Sequence, residues 1–435
     1  MVPSSTTTST DDGNSPLAKL LECLSVVSDP RAARGVRYPL TEILFTAIVG
    51  SLCGCDDAEA LEDWGSKELD WLRNYLGFAR GAPKQDVYLR VLGALDPDLF
   101  RSAFLLWAEH LFSLLKIPAQ IAIDGQTHRG SRTRTKKPVH MVHAYACELG
   151  LVMAQQATDE KSNEISAIPQ LLELLDLHGA LVSMDAMGCQ VKIANQVEKQ
   201  GGDWLLGLKG NQSNLHSEVI GVFDAAAQGP SKNIDDATPP QVSTASQSDG
   251  GHGRIETRTA RVCHDWEDWM PADGRWPGLA TLVAIDSLTE DVGSGEVSRE
   301  TRYYISSRSL TADEAIIATR RHWEVESMHW CLDVSFGQDS NTTRSHNTVK
   351  NLAIVRHFAL NIRGAAQSRS LLNSKTQAAM RLQRGLSKRR PWRLAPRSWA
   401  DSIAASLARA PHGRSWAARD KIVLSTPEIA PLAAG

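Results

Sequence analysis

The chain has no long uninterrupted apolar run; its longest, Ile43–Cys55, is broken by Thr46, Gly50 and Ser51. That falls short of the ~18 to 20 residues needed to cross a bilayer, so no membrane span is expected. Nor is there a CxxC pair, and the seven cysteines are odd in number and scattered. Such usage excludes a secreted disulfide framework and points to a reducing, cytoplasmic setting. The opening MVPSSTTTSTDDGNSP has neither a basic start nor an apolar stretch, so residues 1–15 are expected to be a solvated tail and not a signal peptide. Acid is missing altogether between Ser340 and Ala400, where thirteen Lys or Arg stand. With a formal net charge of −3 for all 435 residues, the rest of the chain is left with −16. A second basic cluster, Arg129, Arg132, Arg134, Lys136 and Lys137, lies in a Ser/Thr-rich loop. Runs of this kind either bind phosphates or serve as solubilising tails.

What is present is a globular composition, 42% hydrophobic and 22% charged, in a chain long enough for about three units of ~150 residues. Residues 16–115 place apolar side chains at helical spacing in PLAKLLECLSVV, TEILFTAIVGSLC, AEALEDWGSKELDWLRNYL and DPDLFRSAFLLWAEHLFSLL, which predicts an all-α N-terminal domain. Its own balance, eleven basic against sixteen acidic residues up to Gln120, argues against its whole surface facing DNA. Over 116–214 the pattern becomes strand, hairpin around Leu149-Gly150, helix, strand, helix, strand, which predicts a mixed α/β sheet. Residues 215–310 alternate polar and apolar side chains and read as a β-rich insertion. Helical pattern resumes at Thr311, where Thr311 and Glu314 fit a capping box opening one long helix through Trp330. Residues 311–365 would complete the core, with 366–435 a basic extension, partly disordered.

Two aspartates end apolar strands, Asp124 in IAIDG and Asp185 in VSMDAMG. A carboxylate there points into the crevice where open α/β sheets bind ligands, although a lone Asp-Gly is more often a turn or cap residue. A third acid, Glu326, sits in RRHWEVESMHWCLD. On an unbroken helix His322, Glu326, His329 and Asp333 would share one stripe, with Ile316, Trp323 and Trp330 an adjacent apolar stripe for packing on the sheet. An Asp, Asp, Glu set is what two Mg²⁺ ions need to act on a phosphodiester from both sides. The His and Glu spacings would also suit zinc or di-iron, but a second His-Glu helix is lacking.

At these residues the chain resembles insertion-sequence transposases of the H-repeat-associated family. The likeness is carried by AIDGQTHRGS around Asp124, KSNEISAIPQLLELLDL at 161–177, VSMDAMGCQVKIA around Asp185, WLLGLKGNQ at 204–212, HGRIETR at 252–258, YYISSR at 303–308 and RRHWEVESMHWCLDVSFGQD at 320–339. SDPRAARGVRYPLTEILFTAIVGSLCG similarly resembles that family's N-terminal associated domain. The resemblance implies a DDE enzyme with a ribonuclease H-like mixed sheet, in which Asp124, Asp185 and Glu326 bind Mg²⁺ or Mn²⁺, as two ions. Gln126 stands where relatives commonly carry Lys and Ser327 where they carry Asn; Thr319, His322 and Asp333 occupy the places of a Tyr, Arg and Lys found in the broader DDE group.

The implied activity is cleavage at the terminal inverted repeats of an insertion sequence to free a 3′-OH, then strand transfer into target DNA. A decayed or domesticated DNA-binding protein, or a metal-dependent nuclease without strand transfer, would be the alternatives. The expected partners are double-stranded DNA and a second copy of the chain in the DNA complex, at the nucleoid, without a membrane. Candidate DNA contacts are Arg129, Arg132, Arg134, Lys136, Lys137, Lys209, Arg254, Arg258, His322 and Arg344, with the acid-free segment from Arg344 to Arg397 adding more. The insertion also holds Trp266, Trp269 and Trp276, which either close a small β-core or stack on an unpaired base at the site.

Overall fold

The computed structural model describes residues 16–372 apart from 116–118, 133, 136, 159–163, 229–238, 252 and 271–274. The expected tail at 1–15, Lys136 and nearly all of the basic extension lie outside the described residues. Six helices come first: α1 (Pro16–Ser25), α2 (Leu40–Leu52), α3 (Ala58–Lys67), α4 (Leu69–Leu72), α5 (Gln85–Ala94) and α6 (Pro97–Leu115). Helix α2 is apolar nearly all round, and eleven of its residues from Leu40 to Ser51 are buried, so it runs through the middle of the bundle.

The chain then weaves a nine-stranded sheet. Strand β1 (Gln120–Thr127) pairs antiparallel with β2 (His140–Ala146), and β2 with β3 (Leu151–Thr158). Helix α7 (Glu164–Leu172) crosses over to β4 (Leu181–Met184), parallel to β1, and α8 (Val191–Lys199) leads on to β5 (Asp203–Leu208), parallel to β4. The order β3-β2-β1-β4-β5, with one antiparallel hairpin beside three parallel strands, is the ribonuclease H-like arrangement. Ile121, Ile123, Val182 and Leu206 point to one face, where they pack with Ile193 and Val197 of α8 and with Val219 and Phe223 of α9 (Ser213–Gln228).

The stretch expected as a β-rich insertion opens on α9 and extends this same sheet. Strands β6 (Val242–Gly251), β7 (Arg254–Cys263), β8 (Thr281–Asp291) and β9 (Val297–Ser306) are long antiparallel neighbours, and β9 closes onto β5. The alternation that marked them as strands buries only the base of this ribbon; the outer halves of β6 and β9 are largely exposed.

Thr311 caps the next helix with both halves of the capping box in place. The single long helix expected here is instead three pieces: α10 (Ala312–His322), α11 (Glu324–Trp330) and a π-helical turn at Cys331–Ser335. Trp323 interrupts the ladder with ψ −7°, yet His322 before it and His329 and Asp333 after it still face the same side of the sheet, as the expected stripe required. Helix α12 (His346–Leu372) then returns between α2, α5, α6 and β3. Leu352, Val355, Phe358 and Ile362 of α12 share one core with Phe45, Phe100, Phe104 and Trp107, so the helical bundle and the second face of the sheet are packed together.

Candidate active site

Strands β1 and β4 are in parallel register, with Ile123 opposite Met184. Asp124 follows as the fifth of the eight residues of β1, in mid-strand and not at the strand end as expected, while Asp185 does follow the last residue of β4, so the two lie side by side where the β1–β4 pairing stops. Gln120, Ala122, Asp124 and Gln126 share one face of β1, the face over which α10 and α11 lie. Buried polar links fix that packing: Gln120 Nε2 donates to Ser183 Oγ (2.9 Å) and to the Ala318 carbonyl (2.8 Å), and His322 Nδ1 meets the same hydroxyl at 3.2 Å. Further along, Gln126 Nε2 donates to Asp333 Oδ1 (2.8 Å) and the His329 carbonyl (3.3 Å). These links fix the helix that carries Glu326 over this face of β1.

Burial, with Asp185, Glu164 and Glu326 as neighbouring negative charges, pushes Asp124 up to about 7. Among the described residues no Lys or Arg is ion-paired with Asp124, Asp185 or Glu326; the closest partner is His329 Nδ1, 3.6 Å from Asp124 Oδ2. Burial holds His329 down at about 4, so near neutrality it brings no charge. Asp185 also acts as a cap, one oxygen accepting from the amides of Met187 (2.9 Å) and Gly188 (3.3 Å). Hard, oxygen-donating carboxylates with uncompensated charge are the donor set a divalent cation takes. In kind these residues fit such an ion. They are not a finished cage: among the described residues no three His, Cys, Asp or Glu side chains surround one metal position.

Two glycines give the site its closeness. A Cβ on Gly125 would overlap Glu164 and His140, which touch each other at 2.5 Å behind Asp124. One on Gly207 of β5 would press on the backbone of Asp185 and Ala186 at 3.2 to 3.3 Å. Sequence reasoning did not single out Glu164, His140, His143 or Ser183. The available signal was polar residues inside otherwise apolar strands, as in HMVHAYA and LVSM. His143 sits opposite Asp124 on β2, 3.1 Å from His329 and ring to ring with His357.

The candidate DNA contacts fall into four groups. Arg129, Arg132, Arg134 and Lys137 are exposed on the loop after β1, and Arg344 is exposed on the loop before α12. These two loops meet: the Arg129 amide donates to Asp339 (3.3 Å), and Gly130 lies against the backbone of Asp339 and Asn341. Lys209 is exposed at the end of β5, whose next turn reaches Ala186 through Asn211. Arg258 and Glu326 line one groove with Arg302, Arg320, Trp323 and Tyr304, while Arg254 is exposed near the far end of β7, 3.8 Å from Asp291.

The expectations for His322, Arg356 and Trp330 are overturned, and the open reading of the three tryptophans is decided for the core. His322 is buried and held down at about 4 by desolvation, so it is a neutral packing residue and not a phosphate contact. Arg356, inside the acid-free segment, is also buried, against α2 and the histidines. Trp266 and Trp276 are buried and Trp269 half-buried in the core under β5, where Trp276 packs on Trp204 at 6.0 Å. The tryptophans of the β-extension thus close its base, while Arg258, Arg299 and Arg302 of that segment line the groove that Glu326 also lines. Trp330, expected to pack on the sheet, is 62% exposed.

Similar proteins carry the same two-part organisation. Residues 21–108 match the family described as DDE_Tnp_1-associated, and residues 117–362 match the transposase DDE domain. YbfL of Escherichia coli K12 is 36% identical over 351 residues, 80% of this chain and 90% of that one. YhhI of the same strain, named for the H repeat and as a transposase, matches to the same extent. A protein from the dhlA 3′ region of Xanthobacter autotrophicus is 41% identical over 293 residues, 66% of this chain and 93% of its own length. With the family's domain spanning the strands and helices that carry Asp124, Asp185 and Glu326, this chain belongs to the DDE transposases.

Proposed function

We propose that the chain cuts DNA at the terminal inverted repeats of an insertion sequence and joins the freed ends to target DNA, with Asp124, Asp185 and Glu326 as its catalytic acids. The observation that carries this is the parallel register of β1 and β4, which sets two carboxylates side by side beneath the helix bearing the third. In the first step a water oxygen bonds to phosphorus, the bond to the 3′ oxygen breaks, and that oxygen leaves as a 3′-hydroxyl. In the second, this hydroxyl attacks a target phosphate and displaces the target's 3′ oxygen. Neither step needs a covalent protein nucleophile; both need positioning and charge neutralisation. Two divalent cations, Mg²⁺ or Mn²⁺, held by the carboxylates would supply that neutralisation and activate the attacking oxygen. Asp185 is oriented by the amides of Met187 and Gly188, and the Asp124 side chain is half-buried, with 25% exposed.

The backbone of the DNA would lie along Arg129, Arg132, Arg134, Lys136, Lys137 and Arg344, with Lys209, Arg254 and Arg258 on the other flank. Two copies would bring two ends together at the nucleoid. The seven free cysteines suit a reducing compartment, and among the described residues no helix is long and apolar enough to cross a membrane.

Asp185→Asn removes charge with little change of shape. It is expected to abolish cleavage while leaving binding to the ends intact; a variant cleaving at the wild-type rate would refute the assignment. Supplying a pre-cleaved end separates strand transfer from simple hydrolysis. Binding should weaken steeply with salt, the log–log slope approaching −0.9 per phosphate neutralised.

A further inference from the structure

Helix α11 buries Val325 and Met328, and Leu332 of the following turn is buried with them. Its opposite face carries Glu326, Ser327, Trp330 and Val334, all exposed, with Trp330 at 62% and Val334 at 60%. A tryptophan is the side chain with most to gain from burial, and here it stands in solvent four residues beyond the third acid. At 1.5 Å per residue it lies about 6 Å along the helix from Glu326, which is close to the rise of two stacked nucleotides. The basic loop after β1 meets the segment that follows this turn, the Arg129 amide donating to Asp339 (3.3 Å), so the loop borders this end of the helix.

We propose that Trp330 is a stacking platform for an unpaired nucleobase next to the scissile phosphate near Glu326. The assignment deepens the function proposed above and rests on it. An exposed indole offers every base a π-face without reading its sequence. The adjoining cations hold the backbone, and the absence of charge at Ser327, Trp330 and Val334 leaves that part of the face to the base. A second copy of the chain covering Trp330 is the competing occupant.

The test uses the full chain with two oligonucleotides, a fully paired duplex and the same duplex ending in a short unpaired overhang that carries 2-aminopurine. The wild type should bind the overhang form more tightly and quench its fluorescence. Trp330→Ala should lose the quenching and weaken overhang binding roughly 5- to 140-fold, the range of one base–aromatic stack, with the paired duplex unaffected. Trp330→Phe should restore most of both. Should Trp330→Ala fail to fold, Trp330→Gln keeps the comparison with Trp330→Phe. Equal loss on both duplexes, unchanged quenching, or a dimer that Trp330→Ala splits in sedimentation would overturn the proposal. If the wild type binds the paired duplex without quenching the overhang, stacking alone fails. If it binds neither, the DNA reading fails with it.

Discussion

Gln126 joins the strand of the first acid to the helix of the third. Its amide donates to Asp333 and the His329 carbonyl, and its oxygen accepts from Gln338 (3.2 Å), whose nitrogen also meets His128 (3.0 Å). All three side chains, Gln126, Gln338 and His128, are buried. Gln126→Ala is expected to strand these groups at a cost of about 1–3 kcal/mol, lowering the melting temperature by several degrees and slowing cleavage more than it weakens DNA binding. Gln126→Lys keeps a donor facing Asp333 and should fall less far; equal losses for the two variants would deny Gln126 its linking role. At this scale the sequence revealed the acids, because Asp-Gly and Asp-Ala ending apolar runs stand out. It did not reveal Glu164 or His143. Their neighbours are assembled across strands, and a buried His looks no different along the chain from an exposed one.

The β-extension shows what an element-level pattern does and does not convey. Alternation marked β7, β8 and β9 correctly as strands, yet nothing in that period states that β9 pairs with β5, some ninety residues earlier, because pairing partners leave no local trace. The same limit left the three tryptophans open between a small core and a base-stacking role, and they lie in the core. Trp276→Ala should cost about 3–5 kcal/mol, as large core truncations do, and should reduce cleavage only through loss of folded protein, as comparison of activity per folded molecule will show. The helix after Thr311 was legible at its start and not at its end. Thr311→Ala removes a cap worth about 0.5–2 kcal/mol, and a thermal melt will detect it. The break at Trp323 depends on that ring sitting 4.5 Å from the Arg302 guanidinium of β9, a tertiary contact with no motif.

Across the whole molecule, five buried histidines set the response to acid. His128 and His357 are held at about 3 and His322 and His329 at about 4, while His143 lies well below the ordinary 6.5, each first because burial disfavours the charged ring. The unfolded chain takes up these protons as pH falls through 6.5, and the folded chain does so only near 4 or 3. Stability from this source is complete above pH 6.5 and is lost progressively below it. Asp124 opposes the trend by one proton, since its raised value favours the folded form as pH falls from about 7 towards 3.8. The balance is a net uptake of several protons on unfolding near pH 5, each worth about 1.4 kcal/mol per pH unit. Urea midpoints should therefore drop sharply between pH 7 and pH 5, and a flat profile would contradict the buried, neutral state of these rings. The order of the elements along the chain also sets a sequence of events in time. The strand that carries Asp124 and the strand that Asp185 follows have their neighbours in the sheet by Leu208, but Glu326 comes only after four more strands. On the proposed function, a chain still being synthesised carries two thirds of its blade and no edge, and it becomes able to cut only when the last helices dock.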